Sequence, residues 1–174
     1  MEYARVMGMS IKLLATSRKL SEDSYYAVVA PFLVGKNNPL YSVNDVYNGI
    51  FVHGNVLGDA MFYGSGAGKL PTASAVVADV VDEAKHLHEN MPNEWNDQPL
   101  PLADPDQVSG RFFVRVQTTD LSLIRSVFGT IEQIQVPKAE GETGFVTAQM
   151  TLGQYKAKAA EIKAEILSMI RIKD

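Results

Sequence analysis

Three glycines and a lysine precede a predicted helix in the stretch GSGAGKLPT at residues 64–72. Glycine-rich turns at a helix start can bind phosphates, because free backbone N–H groups meet the positive end of the helix dipole. A P-loop needs G-x-x-x-x-G-K-[ST], but Tyr63 occupies its leading position and Leu70 follows Lys69. A dinucleotide fingerprint needs G-x-G-x-x-G, and neither spacing of these glycines supplies the third one. The stretch therefore predicts either an anion-facing turn or a tight strand-to-helix turn without a ligand.

The helix after this turn is predicted from the spacing of its apolar residues. Pro71 suits the first helical position, where its missing N–H would have no partner. This start leaves the N–H groups of Thr72, Ala73 and Ser74 free at the helix end. We expect the apolar stripe to cover one face of a sheet. The stripe comprises Val76, Val77, Val80, Ala84 and Leu87.

Few other residues have a type and spacing that could support chemistry. His86 and His88 lie two apart on the predicted helix, on different sides, so they cannot share a metal ion. Asp82 and His86 are spaced as a solvated surface pair, and His53 is expected at a strand end. Lys69 is the one basic residue beside the glycines, and a surface lysine is the simpler interpretation. The chain has no cysteine, and no metal site is predicted.

Composition excludes several classes of function. The 174 residues carry a formal net charge of −4 and no basic block longer than two residues, which argues against nucleic-acid binding. The first residues mix charges with apolar side chains, unlike a signal peptide. The longest apolar run, YYAVVAPFLVG, is too short to span a bilayer. We expect a soluble cytoplasmic protein with no membrane partner.

Alternating and β-branched runs predict four strands in the first part of the chain, at residues 11–18, 24–34, 48–55 and 58–66. A short helix is predicted at 39–48. Consecutive strands favour a mixed or antiparallel sheet covered by helices, in an α+β fold.

A proline-rich segment predicts a break in the chain. Four of the eight prolines fall within residues 89–110, which have no apolar periodicity. We therefore predict a first domain at 1–91, a linker at 92–107 and a second domain at 108–174. Trp95, the only tryptophan, is expected to dock on a neighbouring surface.

The last region predicts the element order strand, helix, strand, strand, helix, strand. Asp120 is the expected N-cap of its first helix and Gly129 the expected C-terminal stop. The second helix is predicted at 153–169, and a short closing strand at 169–172. This βαββαβ order is typical of a small ferredoxin-like domain.

The stretch YGSGAGKLPTASAVVADVVDEAKH resembles the homoserine dehydrogenase segment Y-G-x-G-A-G-x-x-P-T-A-S-A-V-V-A-D. GMSIKLLATSRK and VYNGIFVHGNVLGDAMFYG are similar to the substrate and dimerisation domain of that family. The final unit is similar to the ACT domain that ends many members. The resemblance covers essentially the whole chain and is strongest over residues 3–90.

The resemblance implies part of an oxidoreductase that interconverts L-homoserine and L-aspartate 4-semialdehyde with NAD(P), in the biosynthesis of threonine, methionine and isoleucine. It implies that Gly66 contacts the cofactor, while Gly64 and Gly68 shape the loop. The catalytic lysine, the substrate-binding acids and the Rossmann domain of the family precede the matched segment. We therefore expect a carboxy-terminal fragment that contains no catalytic residue, has no tightly bound cofactor and is inactive alone. A homodimer or tetramer is also implied.

The ACT-like region departs from the pattern of members that bind amino acids. Such members carry a D-x-P-G-type turn between their first strand and first helix, whereas this chain reads TTDLSLI. The tip PKAEGETG is also short. The alternative function is an autonomous ACT-type module that binds an amino-acid effector or drives oligomerisation, and the missing turn favours oligomerisation.

Overall fold

The computed structural model describes residues 1–89, 92, 96–137 and 139–173. The helices are α1 (Glu2–Val6), α2 (Lys69–Lys85), α3 (Leu121–Phe128) and α4 (Leu152–Glu161), with short 3-10 helices at Pro39–Ser42 and Pro105–Gln107. The strands are β1 (Met9–Ser21), β2 (Ser24–Gly35), β3 (Tyr47–Gly54), β4 (Gly58–Ser65), β5 (Ser109–Gly110), β6 (Phe112–Val116), β7 (Ile131–Ile134), β8 (Thr143–Thr147), β9 (Met150–Thr151) and β10 (Ile166–Lys173). The predicted α+β class is confirmed. No helix within these described ranges is both long enough and apolar enough to cross a membrane.

The main sheet has six strands in the order β1-β2-β10-β6-β8-β7. Strand β10 pairs with β2 in parallel, and the other neighbours are antiparallel. The elements β6, α3, β7, β8, α4 and β10 follow the predicted βαββαβ order. Strands β1 and β2 extend the sheet of this C-terminal region instead of forming a separate sheet with β3 and β4.

The chain forms two compact units, one of residues 1–41 and 99–174 and one of residues 42–98. The first unit contains the six-stranded sheet. The second contains the β3–β4 hairpin and α2. The domain boundaries at 1–91 and 108–174, with a linker at 92–107, stay a prediction. Trp95 lies outside the described residues, and so does its predicted docking.

The two faces of the main sheet are covered differently. Helices α3 and α4 cover one face, where Phe112, Val114 and Phe145 are at most 2% exposed. On the opposite face, Phe113 packs with Tyr3 of α1. This alternation is what the sequence FFVRV predicts for a strand with both faces covered.

The predicted ends of α3 are confirmed. The Asp120 carboxylate accepts hydrogen bonds from the backbone N–H groups of Ser122 (2.9 Å) and Leu123 (3.0 Å). Gly129 follows the helix with a φ of +76°, a conformation that glycine adopts without steric cost.

The predicted end of the last helix is wrong. A helix was expected to continue to residue 169, but α4 ends at Glu161, and Ile166 already pairs with Val116 in the sheet. Strand β10 lies between β2 and β6, so its backbone N–H and C=O groups gain ladder partners on both sides. Helical propensity is a weak preference that such tertiary pairing overrides.

Two features predicted for the first 90 residues differ in the structure. The short helix expected at 39–48 is only the 3-10 turn Pro39–Ser42. Helix α2 forms as predicted, but none of its residues is buried, and Val76, Val77 and Val80 are 57–63% exposed. The expectation that its apolar stripe covers a sheet within this chain is therefore wrong.

Candidate functional site

The glycine-rich turn connects β4 directly to α2. Gly64 lies in β4 opposite Asn48 of β3, and the strand ends at Ser65. Helix α2 begins at Lys69, four residues later. The turn is thus held by the hairpin ladder on one side and by the first helical hydrogen bonds on the other.

Among the three glycines of the turn, Gly66 is the one at which a side chain would collide with a neighbour. A Cβ atom there would lie 2.9 Å from the Asn48 Cγ, closer than real Cβ contacts come. At Gly64, by contrast, a Cβ would meet no described atom within 4 Å. A side chain at position 66 would therefore have to displace the Asn48 side chain, whereas Gly64 leaves its outer surface open.

Gly68 sets the direction in which the chain enters α2. Its φ of +118° lies in the region that favours glycine, and it is the N-cap residue of the helix. The Thr72 N–H donates to the Gly68 carbonyl at 3.1 Å. The free N–H groups therefore belong to Lys69 and Leu70, because Pro71 has none.

This start corrects the sequence-based expectation at the helix end. Pro71 stands at the third helical position instead of the first. The N–H groups of Thr72, Ala73 and Ser74 consequently fall inside the helical ladder. The positive end of the helix dipole is presented two residues nearer the glycines than the spacing predicted.

The other candidate side chains of this unit do not converge on the turn. His53 Nδ1 lies 2.5 Å from the Asp59 carboxylate across the hairpin, with both side chains exposed. His86 Nδ1 contacts the Asp82 backbone carbonyl oxygen at 2.9 Å and lies 3.8 Å from the Asp82 carboxylate. Lys69 is exposed at the helix start. No group of three potential metal-ligating residues occurs within the described part of the chain.

A backbone-lined turn of this kind can contact a ligand but cannot transfer a proton. Its open glycine, its free N–H groups and its partial positive charge suit a flat or anionic partner.

Large apolar side chains of the same unit are exposed as well. On β3 and β4, the directly paired Ile50 and Phe62 are 65% and 67% exposed. A two-stranded hairpin is marginal in water without a covering partner, so this unit presents a surface suited to burial.

A second polar cluster, which the sequence did not reveal, joins α1 to the main sheet. Arg115 of β6 donates two hydrogen bonds to Glu142, from Nε at 3.1 Å and from Nη2 at 2.7 Å. The guanidinium carbon lies 5.8 Å from the centre of the Tyr3 ring. That ring rests on Gly144, where a Cβ would lie 2.6 Å from Tyr3 Cδ1.

The protonation equilibria of this cluster follow from its geometry. Burial, followed by the interaction with the Glu142 carboxylate, raises the pKa of Tyr3 to about 12. Hydrogen bonds from Arg115 lower the pKa of Glu142, while the same pair raises the pKa of Arg115. Tyr3 is therefore a neutral hydrogen-bond donor and Glu142 an anion at neutral pH. The cluster connects residues more than a hundred positions apart, and no local pattern in the sequence signals it.

Comparisons with known proteins give one family for this chain. The family model described as homoserine dehydrogenase matches residues 1–81, which include the hairpin, the glycines and most of α2. A homoserine dehydrogenase of Lactococcus lactis is 31% identical over 179 residues, which cover 95% of this chain and 42% of the relative. One from Synechocystis is 33% identical over 197 residues, covering 98% of this chain and 46% of the relative.

The fold agrees as well. The crystal structure of a homoserine dehydrogenase from Thiobacillus denitrificans superposes with a TM-score of 0.77 at 25% identity, over 99% of this chain and 44% of that one. The chain thus spans less than half the length of these relatives. By sequence and by structure, the chain belongs to the homoserine dehydrogenase family.

Proposed function

We propose that this chain supplies the substrate and dimerisation region and the C-terminal region of a homoserine dehydrogenase. The parent enzyme interconverts L-homoserine and L-aspartate 4-semialdehyde with NAD(P). The observation that carries this proposal is the turn at Gly64–Gly68, which lies within the residues that the family model matches. At this turn, backbone atoms and the open space beside Gly64 lie next to the start of a helix. In this role Gly66 faces the cofactor, and Gly64 and Gly68 shape the loop around it.

The partners of the proposed enzyme are a nucleotide-binding domain and further copies of the chain. The glycine-rich turn matches neither the P-loop pattern nor the dinucleotide fingerprint G-x-G-x-x-G. Tight NAD(P) binding by these residues alone is therefore not expected. The exposed apolar side chains of β3, β4 and α2 support burial against such partners. The cytoplasmic location expected from the sequence stays a prediction.

The first test is an activity measurement on the pure chain. We expect no NADPH formation from L-homoserine and NADP⁺, because the chain lacks the nucleotide-binding motif. A chimaera in which these residues replace the matching part of the Lactococcus lactis relative should regain activity. NADPH formation by the pure chain would refute the inactive-fragment proposal. A folded but inactive chimaera would contradict the assignment to this enzyme.

The role of Gly66 is tested in the same chimaera. Gly66→Ala should raise the KM for NADPH about tenfold, because the new methyl group displaces the Asn48 side chain next to the proposed cofactor contact. Gly64→Ala is the matched control, since its methyl group enters open space. Equal KM values for the two variants would remove Gly66 from the cofactor site.

An autonomous ACT-type module is the second candidate function. The order β10-β6-β8-β7 in a βαββαβ unit favours it. Against amino-acid binding at the start of α3, the Asp120 carboxylate already accepts from the N–H groups of Ser122 and Leu123. Calorimetric titration with threonine, methionine and isoleucine, repeated with Asp120→Ala, tests whether that turn binds an effector.

A further inference from the structure

The side-chain amide of Asn48 lies beside the glycine-rich turn. Asn48 of β3 is directly opposite Gly64 of β4, so its side chain projects from the face of the hairpin that Gly64 leaves open. The amide reaches as far as Gly66, because a Cβ atom built there would lie 2.9 Å from Asn48 Cγ and closer still to Nδ2. Two glycines and one amide therefore share this end of the hairpin.

This amide is available to a ligand. The Asn48 side chain is exposed, and among the described residues none forms a hydrogen bond with it. It offers two N–H donors and a carbonyl acceptor in one plane. A neutral group of this kind does not supply the positive charge that favours phosphate binding. Its best match is another planar group that both donates and accepts, because two parallel hydrogen bonds then form.

The cofactor of the proposed enzyme has two groups of this type, the carboxamide of the nicotinamide ring and the edge of the adenine ring. The proposed function places the substrate region in this chain and the nucleotide-binding motif in another domain. In that arrangement the adenine end is held by the other domain. Hydride passes between the nicotinamide ring and the substrate, so the nicotinamide ring must reach the substrate region. The carboxamide is therefore the favoured partner of Asn48.

We propose that Asn48 is a cofactor-binding residue whose amide forms two hydrogen bonds with the nicotinamide carboxamide. Asn48 Oδ1 accepts from the carboxamide NH₂, and Nδ2 donates to the carboxamide oxygen. The open backbone at Gly64 leaves room for the flat ring. This role rests on the proposed function. It adds to that function the residue that fixes which face of the ring the substrate meets, because a ring held at its carboxamide cannot turn over.

The test compares two cofactors in the chimaera with the Lactococcus lactis relative. NADP⁺ carries the carboxamide, and its acetylpyridine analogue has a methyl group in place of the carboxamide NH₂. Calorimetry gives the Kd of each, whereas a rate would also include the changed reactivity of the ring. The parent chimaera should bind the analogue about tenfold more weakly, because Asn48 Oδ1 loses its donor. Equal Kd values for the two cofactors overturn the proposal.

Variants of Asn48 then place the contact. Asn48→Ala should weaken NADP⁺ binding about tenfold and bring the two Kd values within about twofold of each other. Asn48→Asp keeps an acceptor of the same shape, so it should retain the preference for NADP⁺. Asn55→Ala, at an exposed position in the turn at the far end of the hairpin, is the matched control and should keep the parent's tenfold preference.

A preference for NADP⁺ that persists in Asn48→Ala overturns the carboxamide contact, even if both cofactors bind more weakly. Contact with the adenine ring would give that result, since adenine is the same in both cofactors. If Asn48→Ala fails to fold, Asn48→Leu, which keeps the side-chain volume, takes its place. A folded chimaera that binds no NADP⁺ refutes the proposed function. One that binds NADP⁺ but shows no effect of Asn48 on the preference refutes only the role of Asn48.

Discussion

Two glycines allow close contacts that a Cβ atom would obstruct. Gly144 lies in β8 beneath the ring of Tyr3, and Gly66 lies against the side chain of Asn48. At Gly66 the neighbour is the end of a short side chain, which can rotate away. At Gly144 the neighbour is a buried aromatic ring, which cannot move without lifting α1 from the sheet.

Replacement of Gly144 should therefore destabilise the protein. We expect Gly144→Ala to lower the free energy of unfolding by about 1–3 kcal/mol, because the methyl group overlaps the Tyr3 ring. Urea unfolding measures the change. Gly110→Ala is the control, since a Cβ there meets no described atom within 4 Å, and it should stay within about 0.5 kcal/mol of the parent. Equal losses in both variants would contradict this account of Gly144.

The pair of Glu142 and Arg115 makes stability depend on pH. Folding lowers the pKa of Glu142, so the ionised carboxylate stabilises the folded state. This stabilisation is complete above the pKa that Glu142 has in the unfolded chain. It is lost as the pH falls through the lowered pKa of the folded state. Glu142→Gln should reduce the loss of stability between neutral pH and about pH 3. Thermal unfolding across this range measures it. Glu132→Gln, at an exposed position of β7, should leave the pH profile unchanged, and an unchanged profile in both variants would refute the role of Glu142.

At the scale of elements, local signals explain the helix ends of the βαββαβ unit. Asp120 and Gly129 bound α3, and α4 begins with a capping box in which Thr151 and Gln154 exchange hydrogen bonds. Such caps satisfy backbone groups that have no partner inside the helix. They are encoded within four residues of sequence, which is why the caps of α3 could be predicted.

The cap of α3 gives a prediction at this scale. Asp120→Ala should lower the free energy of unfolding by about 1 kcal/mol, because the N–H groups of Ser122 and Leu123 lose their acceptor. Asp120→Asn keeps an acceptor oxygen and should retain most of that stability. Chemical denaturation compares the two. A loss in Asp120→Asn as large as in Asp120→Ala would show that the negative charge, and not the cap, is responsible.

At the scale of the whole molecule, the exposed apolar surface of the second unit needs a partner. Isolated hairpins and amphipathic helices gain most of their stability from packing. The proposed homo-oligomer would supply such packing. This chain should therefore have a mass of at least two copies in light scattering after size exclusion.

A charged residue on the hairpin should weaken that association. Phe62→Lys places a charge on the exposed face shared with Ile50 and should shift the molecular mass toward one copy. Val56→Lys, at a 93% exposed position in the turn between β3 and β4, is the control and should leave the molecular mass unchanged. A monomeric parent chain would contradict the homo-oligomer, and an unaltered mass of Phe62→Lys would exclude this face of the hairpin.

The sequence alone predicted the α+β class, the four strands before α2, the caps of α3 and the glycine-rich turn. These features depend on residues close together in the chain, where turn chemistry and periodicity act directly. The family resemblance also came from local motifs. The prediction placed the free N–H groups of α2 at Thr72, Ala73 and Ser74, which was wrong because Pro71 fits more than one position in a first helical turn.

Only the tertiary structure decided how distant segments pair. The central place of β10 ended α4 at Glu161, because ladder hydrogen bonds to β2 and β6 outweigh helical propensity. Tyr3, Arg115 and Glu142 came together through the same sheet. Which side chains meet across strands depends on strand order and register, and these are set by the free energy of the whole packed core.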